Sequence, residues 1–344
     1  MMAVTIKDVA KQANVAPSTV SRVISDSPRI SEKTKKKVRK VMEEMGYYIN
    51  HNARNLVQKS TQTIGIVMKN STSASLHDPF FPEVLRGISA YCNQQDFNIS
   101  ITTGESEEAI FNDVVKMVQG KRVDGLIVSY SKKDDKVVPY LVDSGIPFVV
   151  VGKPIGKANE IMSVDNDNVQ AAKEATEYLI RLGHQKIGFI SEQPDYEVSI
   201  ARLTGYQQAM QLHQLKPDPN YVRHVDTKEP MKDMVEELVD NNKLPTGFVV
   251  TDDIAALNLL LCLREKNISV PEDVSIISFN NTIISKLATP PLTSIDTQIY
   301  QLGYESAKCL IDEIKTPSMF KKTVIIPTII EERESCKKIV ALAE

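Results

Sequence analysis

Long apolar runs, paired cysteines and catalytic signatures are all missing from this chain of 344 residues. No stretch approaches the roughly 20 apolar residues that cross a bilayer. The N-terminal MMAVTIKDVAKQANV has no apolar signal segment. Cys92, Cys262, Cys309 and Cys336 stand far apart, with no C-x-x-C pair. That spacing argues against a disulfide framework or a zinc site, and makes a reducing cytoplasm the expected compartment. Neither phosphate-cradling glycine motif follows a strand, and GKPIG at Gly152–Gly156 has the wrong spacing. The histidines His51, His77, His184, His213 and His224 form no H-E-x-x-H or other metal-ligand pattern, and no G-x-S-x-G elbow occurs. His184, in RLGHQKIGF, reads as a capping or packing residue at a helix-to-strand turn. Asp252 and Asp253 are adjacent at a helix start and point in different directions, so they are not a working acid/base pair. The expectation is a protein that is not an enzyme, with no cofactor, no metal and no membrane partner.

What remains is an ordinary globular composition, 42% hydrophobic and 25% charged, long enough for two or three domains. The formal charge of −3 hides an asymmetry. Residues 1–60 hold 12 Lys/Arg and 5 Asp/Glu, while the rest holds 29 and 39. A basic head on an acidic body suits a head that meets a polyanion.

The head reads as three short helices. Thr5 and Asp8 form a T-x-x-D start, and Ile6, Val9, Ala10 and Ala13 mark one face. After NVA, Pro17 fits the first position of a second helix, with Val20, Val23 and Ile24 inward and Ser18, Thr19, Ser21 and Arg22 on the open side. Ser31 caps a third helix carrying Val38, Val41, Met42 and Met45, and Gly46 ends it. This is a helix-turn-helix pattern. A short second helix with one arginine fits the major groove, where a guanidinium pairs with guanine, while surrounding hydroxyls and lysines suit phosphates.

In the body, TIGIVM, NISITT, VDGLIVSY and PFVVVG read as buried strands separated by helices near 81–95, 106–119 and 134–144. KIGFIS, YVRHV, GFVVT and VSIISF follow, with helices near 168–182, 197–214, 229–242 and 253–266. Such alternation implies parallel sheets covered on both faces, an α/β fold. Both series open alike, IGIV before a helix containing LRGI and IGFI before one containing LTGY, which indicates two similar lobes. LTSID, a helix near 298–315 and VIIPTIIEER are left to complete the sheets of either lobe.

TIKDVAKQANVAPSTVSRVIS followed by ISEKTKKKVRKVMEEMGYYINHNARNL resembles the N-terminal signature of the lactose/galactose repressor family. The likeness continues through KRVDGLIV, LGHQKIGFIS, PTGFVVTDD and VPEDVSIISFNNT, and covers essentially the whole chain. It implies a lambda-repressor-like helix-turn-helix head (1–49), a hinge helix or linker (50–60) and a periplasmic-binding-protein-like core of two doubly wound lobes (61–340). Three lobe crossings would give an N-lobe of about 61–161 and 292–322, and a C-lobe of about 162–291 and 323–340. Pro17, Ser18 and Arg22 would face base edges, and Thr5, Thr19, Ser21, Ser31 and Thr34 would approach the DNA backbone. Asn50 would start a hinge helix too short to be stable alone, with Ala53 and Leu56 facing a dimer partner and Leu56 wedging between base pairs in the minor groove.

A ligand of such lobes sits beyond the carboxyl ends of the strands, where hinge closure traps it. Asp78, Phe80 and Phe81 would lie at that rim, the rings suited to the apolar face of a sugar, with Tyr130 a further wall residue. Of Asp252 and Asp253, one is expected to meet ligand hydroxyls and the other to cap a helix; Asp252 is assigned to the ligand. Arg202 matches an arginine that the family uses on its effector. Asn280 departs from the Asp common there, keeping hydrogen bonding but losing charge, which favours a neutral polyhydroxylated ligand. The segments DPFF, VVVGKP…SVDND and RLTGY are most similar to maltose-operon repressors of Gram-positive bacteria. The expected protein is a homodimeric repressor of a pseudo-palindromic operator, responsive to maltose or a maltodextrin. The alternatives are a catabolite-control regulator whose co-effector is a phosphorylated carrier protein bound at the N-lobe surface, or a sugar-binding transport protein sharing the same body.

Overall fold

Thr5 opens helix α1 (Ile6–Gln12): the Asp8 carboxylate reaches back to accept the Thr5 N–H at 2.9 Å and its hydroxyl at 2.6 Å. Pro17 is the first residue of α2 (Pro17–Ile24), and Ser31 caps α3 (Glu32–Glu44). Val9, Ala10, Ala13, Val20, Val23 and Val38 form the head's core. Asp26, in the turn after α2, takes Lys35 at 3.0 Å and Arg39 at 2.7 Å, which fixes α3 against that turn. The computed structural model describes residues 4–47, 60–68, 78–156, 158–191, 194–225, 228–317 and 320–339. The chain divides into two compact units, Met1–Thr61 and Gln62–Glu344.

The second unit holds two six-stranded sheets. The N-lobe contains β1 (Thr63–Val67), α4 (Phe80–Gln94), β2 (Asn98–Ile101), α5 (Glu107–Gln119), β3 (Gly125–Val128), α6 (Val137–Ser144), β4 (Phe148–Val151) and β5 (Met162–Asn166). The C-lobe follows with α7 (Asn168–Arg181), β6 (Ile187–Ser191), α8 (Glu197–Leu212), β7 (Val222–His224), α9 (Lys228–Asp240), β8 (Gly247–Val250), α10 (Asp253–Glu265), β9 (Ser275–Phe279), α11 (Ile283–Leu287) and β10 (Thr293–Asp296). α12 (Ile299–Lys315) and β11 (Thr323–Ile326) return to the N-lobe, and β12 (Ile329–Glu331) ends in the C-lobe sheet. The orders are β11-β5-β4-β3-β1-β2 and β12-β10-β9-β8-β6-β7. Every pairing is parallel except β10 with β12. Each sheet is buried on both faces by apolar clusters. Among the described residues no helix is long and apolar enough to cross a membrane.

The glycines of LRGI and LTGY share one cause. A Cβ on Gly87 would stand 2.0 Å from the Tyr300 carbonyl oxygen, and one on Gly205 would stand 2.1 Å from that of Val169. Each lobe thus presses two helices together, backbone to backbone: α4 on α12, and α8 on α7.

Two expectations are corrected. Residues 162–166 form β5, bonded between β4 and β11 in the N-lobe sheet, so this segment is not C-lobe. Its polar Ser163, Asp165 and Asn166 disguise a strand that is buried throughout. The crossings therefore fall near 167, 297 and 327, and 293–296 belongs to the C-lobe while 323–326 belongs to the N-lobe. The run VIIPTIIEE is split at Pro327 between the two sheets. Asn166 ties the three crossings together: its amide donates to the Thr297 oxygen at 3.1 Å and the Ile326 oxygen at 2.8 Å.

Candidate functional site

The head's exposed surface is built on α2. Val20 and Val23 face inward, which leaves Pro17, Ser18, Ser21 and Arg22 exposed and Thr19 half-buried. Among the described residues no carboxylate holds the Arg22 guanidinium. Ser31 and Thr34 sit at the start of α3, their hydroxyls 2.9 Å apart. Thr5 donates both its N–H and its hydroxyl to Asp8, and the hydroxyl bond holds that carboxyl below its ordinary pKa. Asn50, Ala53 and Leu56 lie outside the described residues.

A second cluster lies at the first crossing. Arg202, on α8, is only 7% exposed. Its Nε donates to Asn168 Oδ1 at 3.0 Å, an Nη donates to the Thr251 carbonyl at 2.5 Å, and the guanidinium lies 4.2 Å from the Phe279 ring centroid. Asn168 in turn donates to Asp165 Oδ1 at 3.0 Å. Burial pushes the Asp165 carboxyl up to about 7; the Glu197 charge pushes the same way, while Arg202 and Asn168 oppose it. Burial also raises Glu197. Burial therefore favours the acid form of Asp165 far more than in an ordinary carboxyl.

Asp252 caps α10, its Oδ1 accepting the Ala255 N–H at 2.8 Å. Asp253 is consumed internally: it accepts from Ser278 at 2.5 Å, Ser294 at 3.0 Å and Thr282 at 2.7 and 2.8 Å. The residue assigned to the ligand is thus the one that caps, and its neighbour knits the sheet. Asn280 holds a left-handed backbone (φ 95°) beside the second crossing, where Thr297 donates to its Oδ1 at 3.4 Å.

At the other rim, Asp78 accepts the Phe80 N–H at 2.9 Å, and Phe80 is partly buried. Phe81 is not a rim residue. It continues the Val84 and Ile88 face of α4 into the core, the stripe that helical spacing dictates. The Tyr130 hydroxyl donates to Asp135 at 3.1 Å, its ring packs on the N-lobe core, and burial raises its pKa. His184 packs between Thr246 (3.1 Å) and the Lys337 carbonyl (3.2 Å), and burial lowers its pKa. A cavity of about 340 Å³ lies away from Arg202, behind the Ser131–Lys132 loop, lined by Val138, Val142, Val150, Ile155 and Ile161.

Sequence reasoning missed Asp165, Asn168 and Glu197. The available signal was SVDND, a run of polar residues ending what proves to be a buried strand.

Residues 5–50 match the family described as "Bacterial regulatory proteins, lacI family", and residues 176–336 match "Periplasmic binding protein-like domain". The chain is similar to the HTH-type transcriptional regulator MalR of Staphylococcus xylosus, 36% identical over 96% of this chain and 98% of that one. A solved putative transcriptional regulator LacI from Bacillus cereus subsp. cytotoxis is 43% identical, with a TM-score of 0.79 over 81% of this chain and 99% of its own. A transcriptional regulator CelR–cellobiose complex is 27% identical, with a TM-score of 0.75 over 96% and 99%.

Proposed function

The chain belongs to the lacI family of bacterial regulatory proteins, and from that premise we propose a repressor that answers to maltose or a short maltodextrin bound at the lobe crossing. The observation that carries the ligand site is the buried Arg202–Asn168–Asp165 chain, which brings a cation, an amide and a titrating carboxyl to the carboxyl ends of the strands. Such a set suits a neutral polyol, whose hydroxyls both donate and accept. The similarity to MalR favours a glucose disaccharide, and the cellobiose held by the CelR structure is of the same size class. Asp252, Asn280 and Phe80 complete the site, with Asp78 bonded to the Phe80 N–H at the start of α4.

On the DNA side, Pro17, Ser18 and Arg22 read bases while Thr19, Ser21, Ser31 and Thr34 meet phosphates. Asn50, Ala53 and Leu56 form the hinge contact. Two chains pair on a pseudo-palindromic operator, because one short helix spans too few base pairs alone. A ligand shifts the lobes only as far as its affinities for their arrangements differ. The protein acts in the cytoplasm, without turnover of the sugar.

The test is calorimetric titration with maltose, maltotriose, cellobiose and glucose, followed by gel shifts on an operator fragment with each sugar that binds. Maltose or maltotriose should bind and change the retarded fraction. Binding of cellobiose alone would replace the ligand assignment, and absence of sequence-specific retardation would overturn the repressor.

A further inference from the structure

The lobes also meet away from their three crossings. The loop after β3 runs alongside the segment that leads into α8, where Lys132 and Tyr196 form an isolated antiparallel bridge. The Lys133 N–H donates to the Asp195 carbonyl at 3.0 Å, and the Glu197 N–H donates to the Ser131 carbonyl at 3.0 Å. The Lys132 ammonium is held between Glu107, at the start of α5 in its own lobe, and Asp195 of the other lobe at 3.2 Å. It also stands 5.9 Å from the Tyr196 ring centroid. Lys153, in the loop after β4, reaches Glu197 at 3.9 Å, and the Ser131 hydroxyl braces that loop by donating to the Lys153 carbonyl at 2.6 Å.

The sheet order shows why this contact matters. β4 separates β3 from the crossing strand β5, and β8 and β9 separate β6 from the crossing strand β10. The bridge therefore joins the lobes apart from the chain crossings, with one strand between β3 and β5 and two between β6 and β10. Two of its bonds are backbone to backbone, and the ionic part centres on one lysine with partners on both sides.

We propose that this bridge is a clasp between the lobes, and that Lys132 is the positioning residue that sets how often it opens. A ligand whose entry requires the lobes to part would show an apparent affinity and an exchange rate that scale with the open population. The clasp rests on the ligand-driven lobe shift proposed above, but its test needs no effector.

The experiment is hydrogen exchange on the ligand-free full chain, with peptides covering 129–136 and 194–200. The Lys133 amide should be protected. Lys132→Met should speed its exchange roughly five- to tenfold, the order for losing a partly buried cation with two partners. Raising salt should speed it in the parent protein but not in the variant. Glu197→Pro deletes one backbone donor at a first helical position where proline fits, after Tyr196 at ψ 135°; it should speed Lys133 as well. Amides of β3 serve as the folding control. A Lys133 amide that exchanges without protection in the parent chain overturns the clasp. Exchange unchanged by Lys132→Met overturns the role of that lysine. If Lys132→Met also exposes β3, the Glu197→Pro measurement decides: unchanged Lys133 exchange there refutes the clasp.

Discussion

Replacing Arg202 with methionine keeps most of the side chain's stem and removes its donors and charge. The Thr251 carbonyl and Asn168 Oδ1 then lose partners at 2.5 and 3.0 Å, and Phe279 loses the cation 4.2 Å from its centroid. Charge-assisted bonds contribute about 1.5–3 kcal/mol each, and a desolvated cation over a ring about 1–2 kcal/mol. Returning a 7%-exposed guanidinium to water offsets part of that sum. Breaking a buried charged group away from its partners typically costs about 3–5 kcal/mol, and about 3–4 kcal/mol is expected here. Asp165 also loses a nearby cation, so its carboxyl moves further upward. The assay is urea unfolding followed by far-ultraviolet circular dichroism, since the chain has no tryptophan. Arg22→Met is the matched control: the same chemistry on an exposed side chain of α2 should change stability by less than about 0.5 kcal/mol. A loss below about 1 kcal/mol for Arg202→Met, or equal losses for the two variants, would refute the claim that this guanidinium anchors the crossing.

Three further outcomes are expected. Asp165 has a folded pKa near 7 against an ordinary 3.8, so the fold is penalised as pH rises from about 4 to 7 and relieved as it falls. Asp165→Asn should therefore be more stable than the parent at pH 8, by on the order of 1–3 kcal/mol, and equal to it at pH 4; a constant difference in denaturation midpoints across that range would contradict the assignment. Gly87→Ala sets a Cβ 2.0 Å from the Tyr300 carbonyl and forces α4 off α12, costing about 2–3 kcal/mol; an unchanged thermal midpoint would deny the close approach. Arg22→Ala should weaken operator binding by about 1–3 kcal/mol more than binding to unrelated DNA, and gel shifts showing equal losses would remove its base-reading role.

The elements with a strong period were legible. Val20 and Val23 against Ser18, Ser21 and Arg22 define α2 from spacing alone, and the fully apolar GLIV, FVVV and GFVV strands lie inside their sheets. The difficulty came wherever tertiary position overrides composition. Met162–Asn166 is not among the strands that the sequence pattern picks out, yet it lies in the sheet, where Ser163 pairs with Thr323 and Asn166 serves the crossings. Phe81 looks like a ligand wall beside Phe80, but helix phase buries it in the N-lobe core while Phe80 packs on the same cluster from its partly exposed edge. Asp252 and Asp253 are chemically identical and adjacent, and only the positions of Ser278, Ser294 and Thr282, distant in sequence, decide which is consumed.

The first crossing is bonded both to the other two crossings and to the C-lobe sheet. Asp165 is bonded to Asn168 and is followed in β5 by Asn166, whose amide joins the other two crossings. Asn168 passes that constraint to Arg202, which is fastened to the strand end at Thr251 in the C-lobe. One bonded sequence thus runs from the crossing residues into the C-lobe sheet. The bonds that hold the three crossings in register are the same few that reach the Arg202 cluster.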